Sequence, residues 1–380
     1  MQGMQVLLMA NNSTALPPDA QRRFYHPLCT PSEIDRVFNP QNAKDYLLAL
    51  RSHYIVDNIR IYRFFFRAYR TQGGEYSLER NFETCHYDRY LEQLNPEDRE
   101  RLSCVTFGDV FTKEANGQIF SSPFGRIVTI SRSLRYFLEY SHLALKKFSR
   151  EIPADVRFAA LIIALRVMFH FEALDFEVDP RGKLSQEILL EMRRPIPSQL
   201  QFIVGHEFAH HLLGHLADGR LHDSELRIST GPLEDLIPAR VYSTSQQEEF
   251  NADVAAIMNP QITDEERAEL LNAALIWFAA LELYQHACDV IRPRPAWKMN
   301  SHPSARERHL HLLKEIETSY TKDMDAVSES AIGAVDSLKK PLSDYLSFQI
   351  ESFETYGSVY LAAPNTEWRG RKLIDREDYY

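Results

Sequence analysis

The run from Phe202 to His215, FIVGHEFAHHLLGH, has residue types and spacing that could hold a metal ion. His206 and His210 stand four apart. On a helix that puts them on one face, one turn above the other, so two imidazoles can reach one cation. Glu207 lies beside the first histidine. A carboxylate there faces the water that such a cation activates and can take its proton. Phe202, Ile203, Val204, Phe208, Leu212, Leu213 and Leu216 are apolar, so the helix carrying these groups can be buried and rigid.

A hydrolytic zinc site takes three protein ligands and keeps a fourth position for water. His206-Glu207-x-x-His210 is the HExxH pattern and supplies two of them. The third should come from a separate downstream element, and Glu249 is the candidate. Asp253, four residues on, shares its helix face and would accept a hydrogen bond from a ligand histidine, fixing its tautomer. Glu248 is the alternative ligand, and a solvated acidic helix start is the bland reading of both. His211 is one step round the helix and points elsewhere. His215 would suit HExxHxxGxxH, but that pattern needs Gly at 213 and His at 216, where this chain has Leu213 and Leu216. The register is off by one, so His215 is expected to be structural or near the site entrance.

Other elements must position these groups. Prolines at 17, 18, 27, 31 and 40 make the first 40 residues irregular. Asn42 to Tyr69 reads as one helix, ending in arginines interleaved with aromatics. Such a stretch could stack on single-stranded nucleic acid; an aromatic core face with solvated arginines is the reading preferred from sequence. Leu102 to Val110 and Gln118 to Ile130 read as strands, with Asn116-Gly117 as the hairpin signal and Arg126 to Ile130 as the best strand. Ser131 caps a following helix, and a further helix spans about 155 to 174. The motif helix begins near Ser198. A polar loop at 218 to 243 has the place of a lid or substrate-contacting loop. Ser245 caps the helix of Glu249, and a long helix ends near Ile291 before Pro293 and Pro295.

Formal net charge is −10 over 380 residues. That argues against a general nucleic-acid or anionic-membrane binder. Cys29, Cys85, Cys104 and Cys288 form no CxxC pair and read as reduced thiols. The apolar stretches 158–171 and 271–283 fall short of the roughly 20 residues that a membrane span needs. The expectation is a cytoplasmic protein with no membrane span and no nucleic-acid partner.

Four segments together resemble a gluzincin metallopeptidase of the group that holds the CAAX-prenyl proteases, HtpX and the Oma-type quality-control proteases. They are Gly125 to Leu134 (GRIVTISRSL), His206 to His215 (HEFAHHLLGH), Glu249 to Asp253 (EFNAD) and Ser301 to Arg308 (SHPSARER). The resemblance covers about residues 116 to 318. It implies one zinc per chain on His206, His210 and Glu249, with Glu207 as general base and Asp253 behind the ligands. It implies that His302 and Arg308 stabilise the oxyanion, and that the strand before the metal helix is the edge that holds substrate. A looser similarity to the Lit-type phage-exclusion peptidases suggests a regulated intracellular protease in defence or stress. The expected fold is α+β, mainly helical: a zincin-like core with a small sheet and a helical N-terminal extension. The expected division is 1–115 accessory, 116–318 peptidase and 319–380 C-terminal helical extension. The expected function is zinc-dependent hydrolysis of peptide bonds in a protein or peptide substrate. A metallopeptidase-like sensor or interaction module is the alternative, and hydrolysis of a non-peptide amide is a third.

Overall fold

The computed structural model describes residues 21–72, 76–111, 115–146, 148–149, 151–169, 185–216, 221–223, 240–242, 245–291, 303–316 and 321–355. They are mainly helical, with one small sheet. The first helices are α1 (Pro31–Phe38), α2 (Ala43–Asp57), α3 (Ile59–Gln72), α4 (Cys85–Glu92) and α5 (Pro96–Leu102). Strands β1 (Thr106–Phe107), β2 (Gly117–Ser122) and β3 (Gly125–Ile130) follow. Next come α6 (Arg132–Leu145), α7 (Ala154–Met168), α8 (Gln186–Arg193) and the motif helix α9 (Ile196–Leu212). Short strands β4 (Leu221–Asp223) and β5 (Arg240–Tyr242) precede α10 (Gln246–Met258), α11 (Asp264–Ile291), α12 (Ala305–Glu315) and α13 (Thr321–Thr355).

Two expected elements divide further. The helix read from 42 to 69 breaks at Asn58, an extended residue whose side-chain amide donates to the Tyr54 carbonyl and caps α2. The strand read from 118 to 130 is a hairpin. Its turn is Pro123-Phe124, closed by the Ser122 hydroxyl donating to the Gly125 carbonyl at 2.7 Å. Asn116-Gly117 therefore opens β2 rather than forming the turn.

The sheet order is β1-β3-β2-β5-β4. β3 pairs with β1 in parallel and with β2 antiparallel, so it is an interior strand. This corrects the expectation that the Gly125–Leu134 segment supplies an edge. β5 pairs only with Phe120 and Ser121 of β2. Among the described residues, the Gly117–Ile119 part of β2 keeps one side without a strand partner, and that part lies against α9.

The main core surrounds α9. Phe202, Ile203, Val204 and Phe208 are buried with Val128 and Ile130 of β3 and with Leu271, Leu275 and Phe278 of α11. Phe202 meets Phe278 edge-on at 5.8 Å. Tyr87 and Tyr90 of α4 are fully buried in the same core. Two glycines allow the close approach. A Cβ on Gly117 would lie 2.5 Å from the Ile203 side chain, so a larger residue would push β2 off α9. A Cβ on Gly205 would lie 2.4 Å from the Tyr90 ring. Tyr90 has no room to retreat, so Gly205→Ala should overpack the core and cost about 1–3 kcal/mol. A denaturant melt measures that, and a Gly205→Ala protein as stable as wild type would contradict it.

α11 is the longest apolar-faced helix beside the centre, yet no described helix is long and apolar enough to cross a membrane. The four cysteines are all free.

Candidate metal centre

α9 is a helix because its apolar residues outnumber its breakers, and because Pro197 stands in its first turn, where no intrahelical donor is lost. It puts His206 and His210 on one face. α10 packs along that face. Its N-terminus is fixed by Ser245, whose hydroxyl accepts from the Glu248 N–H while the Glu248 carboxylate accepts from the Ser245 N–H at 2.7 Å. This capping box occupies Glu248 and leaves Glu249, one step round, to face the histidines. The choice between the two glutamates is thus made by the cap.

His206 Nε2 lies 3.1 Å from His210 Nε2. Glu249 places one carboxylate oxygen 3.6 Å from His206 Nε2 and the other 3.7 Å from His210 Nε2. Ligands on a tetrahedral zinc with bonds of about 2.0–2.1 Å sit roughly 3.3–3.4 Å apart. The three separations bracket that edge length, and the donor set of two imidazoles and a carboxylate is one zinc takes. His206, His210 and Glu249 are all buried and form the one such three-residue cluster among the described residues. The group could hold a metal ion.

Both imidazoles are oriented from behind. Asp253, fully buried one turn along α10, holds His206 Nδ1 at 2.9 Å. The proton on Nδ1 leaves the Nε2 lone pair free to face the cluster. His210 Nδ1 meets His215 Nδ1 at 3.0 Å. With the proton on the His210 nitrogen and the His215 lone pair accepting it, His210 Nε2 is freed in the same way. His215 is therefore the orienting partner of His210. The chain turns back after α9 at Gly214, whose φ of 74° is a left-handed conformation glycine adopts readily. The sequence signal for this was the Gly-His pair just past the helix end. His211 points away, with Nδ1 at 3.0 Å from an Arg126 guanidinium nitrogen.

Glu207 is buried beside the cluster and is not part of it. Burial pushes its carboxyl up to about 7, although His206 and a hydrogen bond from the Ile119 backbone N–H of β2 pull it the other way. The unpaired side of β2 is thus joined to the carboxylate. Burial and neighbouring His206 push the His210 imidazole down to about 3, so it is neutral as a ligand must be.

Arg308, on α12, forks onto Asp253. Its Nε donates to one carboxylate oxygen at 2.7 Å and an Nη to the other at 2.6 Å. Its remaining Nη is 3.3 Å from Glu249, and the guanidinium lies 4.9 Å from the Phe278 ring centroid. Burial would favour the acid form of Asp253, but the Arg308 charge and hydrogen bonds hold its pKa below the usual range. Arg308 thus ties α12 to the two acidic residues of α10. α12 begins at Ser304, capped reciprocally with Glu307. His302 lies outside the described residues.

The chain was compared with protein-family models, curated proteins and solved structures, and none of the three gave a significant match.

Proposed function

We propose that the chain is a soluble zinc-dependent endopeptidase of the gluzincin type, cutting a protein target inside the cell. The observation that carries the reading is the company Glu207 keeps. A buried carboxylate outside the ligand set stands one residue from a candidate ligand, next to a part of β2 with no strand partner on one side among the described residues. A site that only stored or sensed metal has no use for a base there.

His206, His210 and Glu249 would hold the ion. When bound, zinc supplies Lewis acidity, polarising a carbonyl and acidifying water. Asp253 and His215 keep the two imidazoles in the tautomer that binds it. The Glu207 carboxylate takes the proton of the attacking water and passes it to the leaving amine. The Ile119 N–H holds that carboxylate in place. An extended substrate would lie along the Gly117–Ile119 side of β2, because apart from the Ile119 N–H held by Glu207 the backbone groups there have no strand partner among the described residues. The resemblance implies His302 and Arg308 as the oxyanion pair; the contacts of Arg308 with Asp253 and Glu249 make it a positioning residue, so the oxyanion role in this reading falls to His302. A role in phage defence or stress belongs to the same reading and rests on the resemblance alone.

The test is to express wild type and Glu207→Gln in a bacterial host and compare new protein termini across the proteome. Wild type should generate a set that the variant lacks, while both purified proteins hold the same amount of zinc. Identical termini in the two cultures would overturn the peptidase reading.

A further inference from the structure

Helix α3 reads IRIYRFFFRAYRTQ and has no acidic residue. One face is core: Ile61 and Phe65 are buried, and Phe65 packs on Phe82 and Phe111. The expectation of an aromatic core face with solvated arginines holds for that side only. Tyr62, Phe66 and Tyr69 follow the i, i+4, i+7 spacing of a second face. Their rings form a row, Tyr62 to Phe66 at 6.3 Å with planes 17° apart and Phe66 to Tyr69 at 6.2 Å with planes 24° apart. Phe66 and Tyr69 are each 36% exposed. Nearby Phe24 is 50% exposed, and its backbone carbonyl accepts from the Tyr62 hydroxyl at 3.3 Å. A contiguous aromatic patch left in water marks a contact surface.

Each ring in the row has an arginine one residue further on: Arg63, Arg67 and Arg70. One residue is about 100° round the helix, so a row of guanidiniums runs beside the row of rings. These three side chains are exposed, and none has a hydrogen-bond or ion-pair partner among the described residues. Some other arginines do have partners: Arg22, Arg36, Arg193 and Arg306 all pair with carboxylates.

We propose that this face of α3 binds single-stranded nucleic acid, with bases stacked on Tyr62, Phe66 and Tyr69 and phosphates on Arg63, Arg67 and Arg70. A single strand repeats a flat base and an anion at each nucleotide, and α3 repeats a flat ring and a cation at each helical turn. Base–aromatic stacking and backbone cations are the two components of sequence-tolerant single-strand binding. A duplex offers the phosphates but keeps its bases stacked inside. The net charge of −10 does not oppose this, because fields from distant carboxylates are screened beyond about 8 Å at physiological salt. The proposal reverses the sequence expectation of no nucleic-acid partner. It does not rest on the peptidase reading.

Fluorescence anisotropy with labelled oligo-uridine and oligo-deoxythymidine of about 12 nucleotides tests it, with a duplex of equal length as the comparison. Both single strands should bind, and the duplex should bind clearly more weakly. The slope of log affinity against log salt should be about −2, the value for three phosphate contacts on a single strand. Phe66→Ala with Tyr69→Ala should weaken binding by roughly tenfold or more. The triple variant Arg63→Gln, Arg67→Gln, Arg70→Gln keeps the rings and should flatten the salt slope. Both variants should keep wild-type zinc content, which separates this face from the metal centre. The arginine variant changes only exposed side chains and should also keep wild-type melting, whereas the ring variant loses the edge-on contact of Tyr69 with Tyr76 at 5.7 Å. The proposal is overturned by no oligonucleotide binding at low salt. It is equally overturned by binding that both variants leave unchanged, or by equal affinity for the duplex. Variant-sensitive binding to phosphatidylglycerol vesicles in place of oligonucleotide would assign the face to a membrane surface instead.

Discussion

Alanine at His206, His210 or Glu249 should empty the metal centre. Wild-type protein should purify with about one zinc per chain, and each of the three variants with close to none. Three ligand atoms already stand 3.1 to 3.7 Å apart, near the edge length of a zinc tetrahedron. Removing one leaves two ligands and a buried gap. The loss should exceed the 10–100-fold that losing an outer partner costs. Asp253→Asn falls in that smaller class: it still accepts from His206 Nδ1 but no longer carries the charge that stabilises the liganded imidazole. Glu207→Gln is the control and should keep its zinc. Chelation should lower the melting temperature of wild type, because an ion that binds only the folded chain adds about 4 kcal/mol at a thousandfold excess over its Kd. Elemental analysis of the purified series decides this. Equal zinc in all five variants would place the metal elsewhere.

The second large effect is at Arg308. Asp253 is 0% exposed and receives both Arg308 hydrogen bonds. Arg308→Ala leaves that carboxylate buried with only His206 to answer it. Breaking one side of a buried pair costs about 3–5 kcal/mol, because the remaining charge has lost both water and partner. Arg308→Lys should recover only part of the loss, since an ammonium cannot fork onto two oxygens. Arg308→Ala with Asp253→Ala should be less destabilised than the sum of the two single changes, as expected of groups that share one interaction. Equilibrium urea unfolding of the four proteins measures it. An Arg308→Ala protein within about 0.5 kcal/mol of wild type would show that the fork carries no stability. A merely electrostatic helper of catalysis would leave these curves unmoved.

Sequence reached the centre because helical spacing is a local rule. Two histidines four apart must share a face, and Ser245 followed by Glu248 is a reciprocal cap that can be read directly. The cap then leaves Glu249 and Asp253 on the side opposite Glu248. His215 was legible only as a residue in the wrong register for one class. Its partnership with His210 depends on how the chain turns back after α9, and spacing along a helix does not encode that turn. Tyr90 gave no signal at all. It lies far from the motif in sequence and meets Gly205 only because α4 packs across α9.

Local pattern set the mainly helical character, the spacing of the candidate metal ligands on α9 and α10 and the Ser245 cap that starts α10. All of these follow from interactions within a few residues. Packing between elements set which side of β2 lacks a strand partner among the described residues, what stands behind each imidazole and which face of α3 stays in water. These depend on contacts between elements distant in the chain, where packing and burial select among arrangements that local pattern leaves equal.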